Sequence, residues 1–456
     1  MENLSVESLN TLLAKISDFL WGMPMVITLL IAAFSLTIYL KGIQFWGFWH
    51  AIKVVRGKYD EADDPGDISH FKALCTALSA TVGLGNIAGV AIAISLGGPG
   101  ATVWMILAGF LGMATKFTEC SLASIYRKFD EKGLVAGGPM YYIENGLGPK
   151  FKPLAVFYAI CCIFTACGAA NMFQANQVAV AINGSFDIHP LVTGIVMAIL
   201  VSLVIVGGIK RIGSVADVLV PVMGVAYVIG CLIILSMNIP LIPEMFIQMF
   251  SSAINGHAAL GGFTGASVST VITMGLRRAL FSNEAGLGSA AIAHAAAKTK
   301  DPVSQGFVAM LEPFVDTVVV CTMTALVINI TGTWHMDIVG GVAITQAAFD
   351  SQIAGFGSDF IPIAVFLFAF STIISWNYYG TQSTYYIFGR KGLPYYNVIY
   401  IACIVIGSIW AAIPIINFSD SSMALMVIPN IIAMVFLARK VKAETWKYWD
   451  KYENSK

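Results

Sequence analysis

The chain has 456 residues, 57% of them hydrophobic and only 11% charged, with a formal net charge of zero. A soluble domain carries about 25% charged residues, so most of this surface must face a lipid bilayer. Neutrality without a dense basic tract argues against nucleic acid as a partner, and eight scattered cysteines with no CxxC or Cys/His spacing read as apolar packing residues.

The first apolar run, 19–40, follows Glu2, Glu7 and a single Lys15. Without a basic leader or a small-residue cleavage site it reads as a retained span, not a signal peptide. Windows of about twenty apolar residues match a hydrocarbon core about 30 Å thick. The others fall at 71–96, 101–126, 153–182, 190–208, 213–236, 263–297, 303–330, 358–387, 396–416 and 421–438. The predicted fold class is therefore an all-α polytopic membrane protein with about eleven spans. Two more polar stretches, 240–261 and 331–357, read as amphipathic and are expected to lie along a membrane face.

Charge in the connectors sets orientation, because Lys and Arg accumulate on the cytoplasmic side. Lys41, Lys53, Arg56 and Lys58 follow the first span; Arg127, Lys128, Lys132, Lys150 and Lys152 follow the third. Lys210 and Arg211 follow the fifth, Lys298 and Lys300 the seventh, Arg390 and Lys391 the ninth. The tail adds Arg439, Lys440, Lys442 and Lys447, whereas 97–100, 183–189, 237–262, 331–357 and 417–420 hold no Lys or Arg. The expectation is an inner (plasma) membrane protein with its N-terminus outside and its C-terminus in the cytoplasm.

The second span is the unusual one. Ala77–Ala91, ALSATVGLGNIAGVA, places Ser79, Thr81, Asn86, Gly83, Gly85 and Gly89 at mid-membrane depth. Glycine costs about 1 kcal/mol relative to alanine within a helix, and it lets the backbone leave the helix. Backbone groups freed in this way survive in lipid only where they are buried in protein or line a polar cavity. A broken helix near the midplane therefore points to a binding site. Close helix packing is the alternative, since Gly85 and Gly89 have the four-residue spacing of packing glycines. Amides of Gly83, Leu84 and Gly85 at a half-helix N-terminus suit a carboxylate. Carbonyls freed around Ser79 and Val82 suit a hard cation such as sodium.

Setting aside the first span, ten remain, and they divide into repeats of opposite entry direction, 71–236 and 263–438, within one domain of 1–456. The run 439–456 is a cytoplasmic tail. The second repeat also opens on breakers, Thr273-Met274-Gly275 and then Ser282 to Ser289, SNEAGLGS. Paired broken helices are the sequence mark of a transporter.

Further polar residues sit within spans. Gln174 and Asn171 each need a partner at that depth, either a zwitterionic ligand or a neighbouring helix. Lys116 and Glu119, three apart, are expected to pair. Arg277 and Arg278, on the cytoplasmic side of the break, have Glu284, Glu312 and Asp316 as candidate partners. Arg277, Arg278 and Glu284 are gating candidates. Asp316 is a candidate second-cation or ion-path residue. No metal triad, nucleophile–base pair or phosphate loop is visible, and His257 and His294 are expected on opposite faces, so an enzyme is not the expectation. A channel would want a continuous polar path, whereas these polar groups cluster at mid-depth.

Several long motifs carry a resemblance: ISHFKALCTALSATVGLGNIAGVA (68–91), GGPGATVWMILAGFLGMATKFTE (97–119), AGGPMYYIENGLG (136–148), RALFSNEAGLGSAAIAHAAAKT (278–299) and STIISWNYYG (371–380). In these the chain resembles the alanine-or-glycine:cation symporters over essentially its whole length. One departure is Trp104-Met105-Ile106, where a second Trp is expected after Met. The resemblance implies a leucine-transporter-like fold with one extra N-terminal helix, 19–40, and sodium-coupled import of a small neutral amino acid. It implies a sodium set of Ser79, Val82, Phe368, Ser371 and Thr372; for Ser371 and Thr372 the alternative is a hydroxyl bonded to the preceding turn's carbonyl. The substrate set becomes Thr81, Gly83, Leu84, Gly85, Asn86, Gln174, Thr273, Met274, Gly275 and Trp376. Trp376 follows Thr372 by four residues on the same helical face, where its ring would narrow the pocket toward alanine or glycine. Sodium is the only cofactor implied. Proton coupling, exchange, or a substrate such as glutamine or serine remain the alternatives.

Overall fold

A computed structural model describes residues 2–131, 133–256, 267–336, 340–410 and 412–453. His257 and the start of the 263–297 run lie outside the described residues.

Eleven candidate crossings follow the hydropathy. The long apolar helical runs are Thr11–Tyr39, Ala101–Ile125, Pro149–Phe186, Gly208–Met237, Pro302–Thr331, Phe356–Ile409 and Asp420–Tyr452. The run Phe356–Ile409 is two helices, Phe356–Phe388 and Leu393–Ile409, joined by a turn at Gly389–Gly392. The shorter Pro190–Ile205 and two broken spans complete the set. A two-strand hairpin, Lys128–Phe129 antiparallel to Val135–Ala136, lies in the basic connector after the third crossing.

The first broken span runs His70–Thr81 and Gly85–Gly97, with a 52° bend between its halves. Ser69 caps the first half by accepting from the Lys72 amide at 3.3 Å, which satisfies one of the orphan donors of a helix start. Val82, at φ −71° and ψ 90°, leaves helical geometry. The second half opens with one π-helical turn, Gly85–Gly89.

The second broken span is Val268–Asn283 and Ser289–Ala295. Its break is at 284–288, where Glu284 (φ 55°), Gly286 (φ 94°) and Gly288 (φ 79°) turn left-handed. This corrects the expectation for Thr273-Met274-Gly275, which lie inside the continuous Val268–Asn283 helix. Thr273 Oγ1 donates back to the Ser269 carbonyl at 2.8 Å, so its hydroxyl supports the helix. At Gly275 a Cβ would meet the Ala101 carbonyl oxygen at 2.5 Å, which makes it a packing glycine.

Three further boundaries differ from expectation. The described part of 331–357 does not lie along a face: the helix Gly341–Asp350 is buried over the first break, with Thr345 Oγ1 donating to the Ile87 carbonyl at 3.2 Å. The fourth crossing carries a π turn at Gly168–Met172. The tail is helical, since the last helix runs Ala412–Glu453. Its end packs on the first connector: Trp446 stacks on Trp46 at 5.7 Å, and the Tyr448 hydroxyl meets His50 Nε2 at 2.7 Å.

The two broken spans are tied together at the face that carries the basic connectors. Residues 65–68 run beside 296–299, with Asp67 N donating to Ala296 O (2.8 Å), Lys298 N to Ile68 O (2.8 Å) and Thr299 N to Pro65 O (3.1 Å). Arg127 staples the junction by donating to the carbonyls of Ala295, Ala297, Pro65 and Thr299. Lys300 bridges Glu61 and Asp63 at 2.7 and 2.6 Å, which holds the Asp63 carboxyl below its usual range.

Candidate substrate and ion site

The bend of the first broken span makes a small polar chamber. A helix start leaves its first N–H groups without intrahelical partners, and here these are the amides from Gly83 onward. Asn86 turns back to take one of them, its Oδ1 accepting from Gly83 N at 2.8 Å. Leu84 and Gly85 follow at the same helix end. The expectation of three amides for a ligand therefore reduces to two, because the chain's own Asn86 occupies the first.

A cavity of about 300 Å³ of atom-free space opens at this point. Thr81, Gly83, Gly85, Gln174, Glu284, Thr372 and Trp376 all line it. Ala80, the pair Ala169–Ala170 beside the π turn, Phe281 and Met423 complete the wall; the sequence carried no signal for these apolar positions. Leu84 and Val82 are buried beside the cavity, not in its wall. Asn86 acts behind it. Thr273, Met274 and Gly275 are elsewhere in the fold.

Two polar groups in the wall are oriented for a ligand. Gln174 is 5% exposed, and its Oε1 has no partner among the described residues. Glu284 sits at the second break, where it accepts from Trp376 Nε1 at 3.1 Å and from Ser289 Oγ at 2.5 Å. Trp376 is thus fixed by its bond to Glu284 and by a T-shaped contact with Tyr379, with ring centroids 5.1 Å apart. Asn171 donates its amide to the Tyr400 carbonyl of the neighbouring helix at 2.7 Å, and its Oδ1 has no partner among the described residues.

Oxygens from two helices converge beside the cavity. Ser371 Oγ donates to the carbonyls of Ser79 (3.2 Å) and Phe368 (2.8 Å), and Thr372 Oγ1 donates to Phe368 O at 3.1 Å. Ser79 Oγ returns a bond to Ser371 O at 2.7 Å. Carbonyls and hydroxyls without a carboxylate make a neutral hard-oxygen set, of the kind unwound membrane helices offer a monovalent cation. Val82 is at the bend above this set.

Asp316 joins the two breaks. Its Oδ1 accepts from Asn86 Nδ2 at 2.8 Å, and its Oδ2 accepts from Ser282 Oγ at 2.9 Å and Thr317 Oγ1 at 2.7 Å. Lys116 lies deeper, 3.0 Å from Glu312 and 3.8 Å from Glu119, all fully buried. Glu119 Oε2 in turn accepts from the Gly286 amide and from Asn430. These pairs hold the second break in place.

The arginines differ from expectation. Arg277 and Arg278 precede the break, on the face opposite the basic connectors. Arg277 pairs with Asp420 at 2.9 Å and Asp18 at 3.4 Å, and donates to Ser17 Oγ at 3.0 Å; none of Glu284, Glu312 or Asp316 is its partner. Arg278 lies over the Phe281 ring, 5.8 Å from its centroid, one residue layer from the cavity.

Comparison with known proteins agrees with this architecture. The profile of the Sodium:alanine symporter family matches residues 6–456. The sodium/alanine symporter AgcS of Methanococcus maripaludis is 43% identical over 441 residues, 95% of this chain and 96% of that protein. A probable sodium/glutamine symporter, GlnT of Bacillus subtilis, is 34% identical over 93% of this chain and 87% of its own length. The crystal structure of MhsT in complex with L-phenylalanine shares the fold, with a TM-score of 0.57 at 15% identity over 82% of this chain and 89% of that one. The chain belongs to the sodium:alanine symporter family: it is a multi-pass, leucine-transporter-type membrane protein, a cation-coupled amino-acid symporter and not an enzyme.

Proposed function

We propose that the protein imports alanine or glycine with sodium by alternating access, its N-terminus outside and its C-terminus cytoplasmic. The observation that carries this reading is the double position of Thr372. Its hydroxyl lines the substrate cavity and also belongs to the oxygen cluster with Phe368, Ser371 and Ser79. A cation bound there draws Thr372 and the Ser79 end of the broken helix together, and so favours the form that holds substrate. A ligand shifts a conformational equilibrium only through such differential binding, and the coupling is reciprocal.

In this reading the substrate carboxylate meets the Gly85 amide in the cavity wall and the positive end of the half-helix dipole. The ammonium is directed toward Gln174 Oε1 and the Glu284 carboxylate. Substrate size follows from the wall of the cavity. Trp376, pinned by Glu284, narrows it against a branched or amide side chain, which disfavours glutamine. The unmatched basic face is taken as cytoplasmic by the positive-inside rule.

The test is uptake of labelled alanine, glycine and glutamine into proteoliposomes with imposed gradients. Alanine or glycine uptake driven by a sodium gradient is expected. Uptake driven by a proton gradient in sodium-free buffer, or a preference for glutamine, overturns it.

A further inference from the structure

The helix Met23–Tyr39 and the last helix lie side by side without closing on each other. A groove of about 1130 Å³ of atom-free space separates them, running from Thr28 to Tyr39 on one wall and from Ile431 to Arg439 on the other. Ala32, Ser35 and Ala438 line it with small side chains, which is why the two helices leave space there. Ile31 and Val435 at its rim are 61% and 58% exposed, so at this depth the groove opens to lipid. The rise from Thr28 to Tyr39 is about 16 Å, about half of a 30 Å hydrocarbon core. The groove therefore has the length of one leaflet.

Its end at the membrane surface is cationic. Arg439 lines the mouth and is exposed. Lys442 Nζ stands 4.1 Å from the Tyr39 ring centroid at the same end. Glu444, the carboxylate nearest in sequence, is taken by Lys440 at 3.0 Å and Lys447 at 3.9 Å. No ion pair among the described residues includes Arg439 or Lys442. An apolar slot one leaflet deep, closed by two cations without carboxylate partners, matches an acyl chain joined to an anionic headgroup.

We propose that this groove is a binding site for an anionic phospholipid, with one acyl chain along the small-residue floor and the headgroup phosphate between Arg439 and Lys442. The site is independent of the substrate cavity, so it stands or falls apart from the transport reading. Native mass spectrometry of the full chain in detergent, with phosphatidylglycerol and phosphatidylcholine of identical acyl chains, tests it. Phosphatidylglycerol is expected to be retained preferentially, by about fivefold for each of the two cations. The exposed double substitution Arg439→Gln/Lys442→Gln should remove that preference. Ala32→Trp, which fills the groove and leaves both cations, should lower retention of phosphatidylglycerol. Equal retention of the two lipids by the unaltered chain overturns the proposal, as does a preference that survives the double substitution. Displacement of the lipid by millimolar inorganic phosphate would also overturn it, because the apolar slot would then contribute nothing.

Discussion

A Cβ built on Gly83 would lie 2.7 Å from Oγ1 of Thr372. Thr372 is not free to retreat, because its hydroxyl is bonded to the Phe368 carbonyl and a β-branched side chain in a helix has few rotamers. The break in one helix and the ion-binding face of another thus approach to a distance that only glycine permits. Gly83→Ala is expected to raise the sodium concentration for half-maximal alanine uptake by about tenfold or more, a 1.4 kcal/mol perturbation. Gly83→Ala combined with Thr372→Ser should recover part of it, because serine without the β-branch can rotate its oxygen away from the new methyl. Sodium titrations of uptake that leave Gly83→Ala indistinguishable from the parent would disprove the coupling through this contact.

Trp376 and Glu284 make the second prediction. Trp376→Ala enlarges the cavity, and leucine or methionine should then compete with alanine for binding. Trp376→Phe keeps bulk but loses the bond to Glu284 Oε1, so the exclusion of leucine should persist while alanine affinity falls by about 10- to 150-fold, a hydrogen bond to a charged group contributing about 1.5–3 kcal/mol. Competition binding across a series of amino acids separates the two effects. If Trp376→Ala excludes leucine as firmly as the parent, the ring is not the wall that sets size.

Much of this was legible before the structure, for identifiable reasons. Hydropathy and the alternation of Lys and Arg report on lipid and on the membrane face, and both act on whole segments. The first break was visible because three glycines and three polar residues crowd one apolar span. The second was visible as a broken span but not placed, because Thr273-Met274-Gly275 and Ser282–Ser289 both offer breakers and only backbone torsion distinguishes them. No residue pattern announces that Glu284 adopts φ 55° and faces the cavity. Phe281 and Met423 are ordinary apolar residues until tertiary packing brings them to the cavity wall. The helical tail was obscured by its charges, although Trp446, Tyr448, Trp449 and Tyr452 recur at spacings that face one side of a helix.

Arg277 and Asp420 give a prediction about the face opposite the basic connectors. Their 2.9 Å pair links the second broken span to the last helix, one turn above Phe281. Arg277→Gln and Asp420→Asn should each alter transport rate more than alanine affinity, and the double variant should resemble either single one. A double-mutant cycle on uptake rate measures this. Strict additivity, or loss of alanine binding in Arg277→Gln with the fold intact, would mean that the arginine is no gate.

The buried Lys116–Glu312 pair is predicted to act in the fold more than in the chemistry. Removing one partner leaves an uncompensated buried charge, at a cost of about 3–5 kcal/mol. Lys116→Met alone should lower the Tm of the purified protein well below that of Lys116→Met/Glu312→Gln, which removes both charges together. Thermal unfolding in detergent reads this directly. The reverse order would show that Glu119, 3.8 Å away, is the dominant partner.

Asp316 is the residue whose two readings diverge most, and one experiment separates them. As a strap it needs no ion: three side-chain donors, Asn86, Ser282 and Thr317, already fill its oxygens. Asn86 also holds the Gly83 amide, so the strap positions the substrate's helix end from behind. Asp316→Asn keeps an acceptor for Asn86, and the two hydroxyls can rotate to accept from the new amide. It should therefore retain alanine binding within about threefold, with the sodium dependence unchanged. Asp316→Ala takes the carboxylate from Asn86, which keeps only the backbone carbonyl of residue 316 (3.1 Å) and Cys321 Sγ (3.3 Å), and from the Ser282 and Thr317 hydroxyls. Lost buried bonds of this kind cost about 1–3 kcal/mol, and alanine affinity should fall by about 5- to 100-fold. If Asp316 instead carried a cation, the charge would matter and the shape would not. Asp316→Asn would then lose sodium dependence as completely as Asp316→Ala, and added sodium would rescue neither. Sodium-dependent alanine binding to the two purified variants decides between a strap and an ion path.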